Sequence, residues 1–256
     1  MLQIQSLYKR YKNSDRYAIE DVTYDVREGE LFGFIGPNGP GKSTTIKCLT
    51  GVLPYDRGSV VVCGHDMARD PIRAKSAIGY VSDTHAMYER LTAREYVTFM
   101  ADMYGVGLND RRTRTDRLLE LFELGSVYDK QISGYSHGMK QKICVIGALV
   151  HNPKLWILDE PITGLDPKSS HQLKELMREH CAQGNSVFFS SHILEIVEKL
   201  CSRIALIDKG RIQLQGDLES LSQKMADGSL EELFLSVTSR ESAQSTDVEP
   251  SAPQAQ

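Results

Sequence analysis

No stretch of the 256-residue chain comes near the roughly 20 consecutive apolar residues that cross a bilayer as a helix. Any work at a membrane would then have to pass through a partner. Cysteine is sparse and scattered: Cys48, Cys63, Cys144, Cys181 and Cys201 form no CxxC pair. That spacing excludes a zinc ribbon or a disulfide framework, and the thiols are expected to be reduced, as in a cytosolic protein. Positive charge is also in short supply, with 30 Lys and Arg against 34 Asp and Glu and a formal net charge of −4. Bulk electrostatic binding to nucleic acid is therefore not expected. The opening Met1-Leu2-Gln3-Ile4-Gln5 alternates polar and apolar residues and lacks the basic-then-apolar order of a signal peptide. There are no internal repeats. What is present is a 41% hydrophobic share, enough for a sizeable core in one large domain or a domain with a lobe.

Leu2 to Tyr8 and Val22 to Val26 alternate as half-buried strands do. After a turn at Glu28-Gly29-Glu30, Leu31–Ile35 is almost wholly apolar, as expected of a strand deep in a sheet. Ser59–Cys63 and Ile78–Val81 are further strands. From Leu91 to Gly125 the spacing becomes helical. Thr92 and Glu95 make a capping box, Tyr96, Phe99, Met100 and Met103 follow at helical periods, and Gly125 is expected to stop a second helix built on Leu118, Leu119, Phe122 and Leu124. Residues 85–145 thus read as a helical lobe inserted into a sheet domain. Strands resume at Leu155–Leu158, Val187–Ser190, Ile204–Ile207 and Arg211–Leu214, with helices at 167–183 and 192–201 between them. The alternation predicts a mostly parallel α/β core. Ser229 to Glu232 forms a second capping box, and the Ser-, Gln-, Pro- and Ala-rich stretch from about Ser239 is expected to be disordered. The run Arg111-Arg112-Thr113-Arg114, flanked by Asp110 and Asp116, reads as a solvated helix face, with lipid headgroups as the alternative contact.

Chemistry enters with Gly36-Pro37-Asn38-Gly39-Pro40-Gly41-Lys42-Ser43-Thr44. This fits G-x-x-x-x-G-K-[ST], between a predicted strand and a predicted helix. Glycines let backbone N–H groups turn around phosphate oxygens, and the helix N-terminus adds positive potential. Lys42 is expected to reach the β- and γ-phosphates and Ser43 to ligate Mg2+. Pro40 removes one N–H from the cradle, which is expected to be tolerated. Asp159, ending Leu155–Leu158, is expected to hold Mg2+ through a water. Glu160, next to it, is placed to polarise the attacking water.

In combination these motifs resemble the ATP-binding subunit of ABC transporters, over about residues 1–216. The resemblance implies an α/β P-loop fold, with a mostly parallel sheet, an antiparallel β subdomain and an inserted helical lobe. In its terms, 1–84 and 146–216 form the ATP-binding core and 85–145 the lobe, with 217–238 a helical extension and 239–256 a tail. Tyr11 aligns with the aromatic that stacks on adenine, an ordinary surface tyrosine being the alternative. Tyr135-Ser136-His137-Gly138-Met139 matches the signature, in which Ser136 and Gly138 donate to the γ-phosphate of a nucleotide held by the partner subunit. Asp166, in Thr163-Gly164-Leu165-Asp166-Pro167, matches the D-loop, and His192 the switch histidine on the γ-phosphate.

Three departures stand out. His137 replaces a glycine, so its ring must point away from the nucleotide. Met139 replaces glutamine, as in a branch that includes drug-, bacteriocin- and lipid-type exporters. Asp83 stands where the family has a glutamine. It still can ligate Mg2+ or accept from water, but it cannot donate as an amide does; capping the following loop is the alternative.

The resemblance implies an ATPase that works as a homo- or heterodimer on a polytopic permease at the inner face of the cell membrane, in the exporter branch. A soluble ABC-type protein of translation, repair or cluster assembly is the alternative. It would carry two cassettes with a charged linker, or long coiled-coil or zinc insertions, and this chain has neither. A non-catalytic cassette is disfavoured because Lys42, Asp159, Glu160 and His192 are all present. The transported substrate is not written in this chain.

Overall fold

A computed structural model describes residues 1–37, 39–84, 88–222, 230–232 and 234. Two sheets organise them. The first is antiparallel, with order β2-β1-β4-β5, from β1 (Leu2–Arg10), β2 (Tyr17–Val26), β4 (Arg57–Val62) and β5 (His65–Asp66). In β1 the alternation predicted from sequence slips once. Ser6 adopts φ 45° and the pairing shifts between Ile4 and Leu7, so both of those residues stay buried although three positions apart. That is a β-bulge re-aiming the inward face.

The second sheet has order β10-β9-β3-β8-β7-β6. Its strands are β3 (Leu31–Ile35), β6 (Ile78–Val81), β7 (Leu155–Leu158), β8 (Ser186–Ser191), β9 (Arg203–Asp208) and β10 (Arg211–Asp217). All but the β9–β10 hairpin pair in parallel. Every residue of β3, β7, β8 and β9 is buried, as parallel strands covered on both faces require. One face packs on the antiparallel sheet and α1 (Pro40–Leu49) through Phe32, Phe34, Ile157 and Phe188. The other packs on helices through Trp156, Leu158, Val187 and Phe189. The expected fold class is borne out.

Between β5 and β6 lies α2 (Pro71–Ser76), capped by the Asp70 carboxylate. Its six residues are too few to show a helical period, and it was not anticipated. α3 (Ala93–Met103) opens on the Thr92–Glu95 capping box. α4 (Leu108–Leu121) ends before the expected Gly125. Glu123 takes φ 57°, its N–H bonds to Glu120 O at 3.2 Å, and the N–H of Leu124 bonds to Leu119 O at 3.0 Å. This is a Schellman cap with a glutamate at the left-handed position. Burying Leu124 offsets the roughly 1–2 kcal/mol a non-glycine residue incurs there. The basic run on α4 is paired, with Arg111 to Asp102, Arg112 to Asp116, Arg114 to Asp110 and Arg117 to Glu179.

Next come α5 (His137–Leu149), α6 (Pro167–Ala182), α7 (Leu194–Leu200) and α8 (Leu218–Ser222). Residues 230–232 and 234 are helical; Leu230 is buried, and its N–H donates to the Glu198 carboxylate at 2.7 Å. The expected capping residue Ser229 and the expected tail 239–256 lie outside the described residues. Among the described residues no helix is long and apolar enough to cross a membrane.

Candidate active site

Parallel pairing brings the C-terminal ends of β3, β6, β7 and β8 to one edge of the sheet, where open α/β sheets bind ligands. β3 runs into Gly36 because no side chain fits there: a Cβ on Gly36 would stand 2.2 Å from the Ile207 carbonyl oxygen. Gly39, extended at φ 168°, is the N-cap of α1, and Pro40 takes the first helical position. An N–H at that position has no intrahelical partner anyway, so the helix loses nothing to the proline, and the N–H groups of Gly41, Lys42 and Ser43 remain at the helix mouth. Asn38 lies outside the described residues. The loop and the β9–β10 turn enclose a cavity of about 180 Å³, with Pro37, Gly39, Gly41 and Lys42 on one side and Ile207, Asp208, Lys209 and Gly210 on the other. That is less than the 300–1,000 Å³ of a usual whole-ligand pocket. Tyr11, 42% exposed, shares a 3.1 Å hydrogen bond between its hydroxyl and Thr44 Oγ1, which ties the ring to the start of α1.

Lys42 is only 4% exposed. Its ammonium donates to the carbonyl oxygens of Gly36 (2.8 Å) and Pro37 (2.9 Å) and lies 3.6 Å from Glu160 Oε1. Burial lowers its pKa from the ordinary lysine value, and the Glu160 and Asp159 carboxylates work against that shift. Glu160 also meets His192, with Oε2 2.8 Å from Nδ1. Its backbone is in the left-handed region at φ 49°, which is uncommon away from glycine.

Asp159 is 1% exposed. One oxygen, Oδ1, accepts from Ser190 Oγ at 2.6 Å, while Oδ2 is buried without a hydrogen-bond partner. Burial raises its pKa; the Ser190 and Ser43 hydroxyls favour the charged form, and the charges of Asp83 and Glu160 oppose it. Ser43 is near this carboxylate but not in hydrogen-bonding geometry with Oδ2. Asp83 is exposed on the turn after β6, close enough for its charge to be felt at Asp159 and Tyr80. An orphaned buried carboxylate oxygen beside a serine hydroxyl fits a divalent cation. Among the described residues no three His, Cys, Asp or Glu side chains converge as a metal site. A cation there would therefore take part of its shell from phosphate oxygens.

Ser136 and Gly138 belong to a different place. Ser136 caps α5, its Oγ accepting from Met139 N at 3.3 Å. Gly138 lies near Leu165, and a Cβ on Gly164 (φ 80°) would come within 3.1 Å of the His137 ring. The His137 ring thus packs beside the turn 163–166. Asp166 caps α6 by accepting from the N–H and hydroxyl of Ser169, bonds that hold its carboxyl below the usual range. Among the described residues no hydrogen bond or ion pair ties Ser136 or Gly138 to Lys42, Asp159 or Glu160.

Two side chains that organise the site escaped the sequence reading. Ser190 Oγ also accepts from the N–H of Glu160 at 2.9 Å, and the only signal was a polar residue closing an apolar strand. Gln141, buried within α5, donates to the Pro161 carbonyl and so links the signature helix to the segment after the carboxylates. It stood inside the signature run but carried no motif of its own.

A glycine-rich loop opening a helix, a lysine buried among its carbonyls and an Asp-Glu pair two strands away define a phosphate-loop nucleotide hydrolase. The family described as ABC transporter matches residues 19–163, and the chain belongs to that family. A linearmycin resistance ATP-binding protein, LnrL of Bacillus subtilis, is 35% identical over 92% of this chain and 75% of its own length. The Nod factor export ATP-binding protein I of Burkholderia pseudomallei is 34% identical over 84% and 70%. The solved structure of an ATP-binding subunit of an ABC transporter superposes with a TM-score of 0.88 at 34% identity, covering 93% of this chain and 99% of that one. The protein is an ATP-binding and ATP-hydrolysing subunit that powers transport.

Proposed function

We propose that the edge carrying Lys42, Asp159, Glu160 and His192 hydrolyses ATP with Glu160 as general base, and that each site is completed by a second cassette. The observation that carries the proposal is the position of the Glu160 carboxylate, between Lys42 Nζ at 3.6 Å and His192 Nδ1 at 2.8 Å. Both partners are groups a γ-phosphate would draw to itself. ATP competes for Lys42, releasing Gly36 O, Pro37 O and Glu160 together; the freed carboxylate takes a proton from water as the oxygen bonds to the γ-phosphorus, the bond from that phosphorus to the bridging β–γ oxygen breaks, and ADP leaves with the electron pair. His192 then contacts the γ-phosphate. The Lys42 ammonium and the N–H groups of Gly41, Lys42 and Ser43 offset the charge that develops on the phosphates. Tyr11 offers its exposed ring to the base. Ser43 and Asp159, with Asp83 nearby, would hold Mg2+, which when bound neutralises phosphate charge.

The signature serves the partner's nucleotide. The Ser136 oxygen accepts from Met139 N, which leaves its proton available to a phosphate, and Gly138 and the first turn of α5 offer backbone donors. The second subunit is another ATP-binding cassette, identical or related. The closing dimer drives a polytopic permease, so the chain works at the inner face of the membrane, with Asp83 near the joint. Export is supported by the Tyr-Ser-x-Gly-Met signature and by the names of the relatives, one a resistance protein and one an export protein.

Glu160→Gln tests this reading. Loss of a positioned base lowers the rate by about 10²–10⁴-fold, so ATP should bind, hydrolysis should stall, and size-exclusion chromatography with light scattering should show an ATP-dependent dimer. Hydrolysis near the wild-type rate would remove Glu160 from the role.

A further inference from the structure

We propose that Ser190 is the positioning residue that sets both carboxylates of the hydrolytic site at once; the proposal rests on the reading of Asp159 and Glu160 above. Parallel pairing of Leu158 with Phe189 puts the next residues, Asp159 and Ser190, side by side where β7 ends. On its other side Ser190 pairs with Phe34 of β3, the strand that delivers the phosphate loop. Ser190 is fully buried, in the strand between the two that carry the chemistry.

The directions of its two hydrogen bonds are forced. The Glu160 N–H can only donate, so Ser190 Oγ accepts it at 2.9 Å; an ionised carboxylate can only accept, so the single hydroxyl proton goes to Asp159 Oδ1 at 2.6 Å. Two consequences follow. Oδ1 is engaged and Oδ2 is left as the buried, unpartnered oxygen available to a cation. The pinned N–H also holds Glu160 at φ 49°, the turn from which its side chain reaches both Lys42 and His192. One hydroxyl therefore couples the orientation of the cation-binding carboxylate to the backbone of the base. An alanine would free both: Asp159 could rotate, and Glu160 could relax toward the negative φ that non-glycine residues prefer.

The test uses the full chain and compares Ser190→Ala, Ser190→Thr and Glu160→Gln with wild type. Groups that orient metal ligands typically matter about 10–100-fold in activity or metal affinity. Ser190→Ala should lower kcat by that factor and weaken Mn2+ binding, read by electron paramagnetic resonance with a non-hydrolysable ATP analogue, by about tenfold or more. Ser190→Thr keeps the hydroxyl on a residue suited to strands and should recover most of both. The proposal is overturned if Ser190→Ala keeps wild-type kcat and Mn2+ affinity, or if the threonine variant loses as much as the alanine variant, which would point to packing and not to the hydroxyl. Should Glu160→Gln hydrolyse ATP normally, the fault lies with the assignment of the base, and the Mn2+ affinity of Ser190→Ala still decides whether Ser190 sets Asp159.

Discussion

Replacing Arg203 with methionine should destabilise the fold by about 3 kcal/mol without altering chemistry measured well below the melting temperature. Arg203 opens β9 and pairs with Phe32, at the sheet edge opposite the phosphate loop. Its Nη1 lies 3.2 Å from both oxygens of Glu30, and the guanidinium also reaches Asp25 Oδ1 at 3.4 Å. The Glu30 side chain is only 5% exposed and the Arg203 side chain 10%. Methionine keeps much of the aliphatic volume but leaves Glu30 buried with the Arg27 N–H, at 2.6 Å, as its remaining donor. Breaking a buried pair from one side costs about 3–5 kcal/mol. The lower end applies because the Asp25 side chain is 55% exposed, so water reaches the rim of the network. At about 2–4 °C per kcal/mol for a chain of this size, the melting temperature should fall by about 6–12 °C. Glu30→Gln should cost less, about 2 kcal/mol, because Arg203 keeps Asp25. The double variant should cost less than the two together by about 0.5–3 kcal/mol. Urea titration followed by circular dichroism at 25 °C measures all three, with ATP hydrolysis assayed in parallel. A single Arg203→Met variant within about 1 kcal/mol of wild type, or a double variant costing the full sum, would refute the reasoning.

Acid should weaken the fold through two histidines: half-buried His151, stacked on Tyr104 at 3.6 Å, and buried His180, edge-on to Trp156, are each held down to about 4 by removal from water. Their neutral forms fit the native state, so this stability is complete above the unfolded value near 6.5 and is lost as pH falls toward 4, about 2 kcal/mol for each between pH 7 and 5; His151→Phe should remove about half of that slope in melts across the range. At the site, Gly36→Ala puts a Cβ 2.2 Å from the Ile207 carbonyl, and overpacking of about 1–3 kcal/mol at the loop itself should weaken ATP binding by about tenfold or more, read by isothermal titration calorimetry.

The legible parts of the chain are those whose signal is contiguous. Leu31–Ile35 read as a buried strand because nothing in it is polar, and Thr92 with Glu95 announced a helix start because the cap is made within four residues. The end of α4 was misplaced because glycine is the usual stop, whereas here the burial of Leu124 holds a glutamate in the left-handed turn. α2 was missed because one and a half turns carry no period. The site divides the same way. Asp159, Glu160 and His192 each follow the end of a readable strand, and Lys42 sits in the contiguous loop-to-helix motif after β3. Ser190 and Gln141 act through contacts 30, 31 and 20 residues distant in sequence and leave no local trace.

By itself the sequence determined the chemical equipment: a phosphate loop, two carboxylates, a histidine and a signature, each carried by neighbouring residues whose backbone geometry is local. The tertiary structure decided how they are joined. Parallel register set Ser190 against Asp159 and brought Lys42 and His192 to either side of Glu160, while His137 and Gly138 were packed beside the turn at Gly164 and Leu165. Strand order and register are set by how apolar faces pack over the whole sheet, a property that no single motif contains.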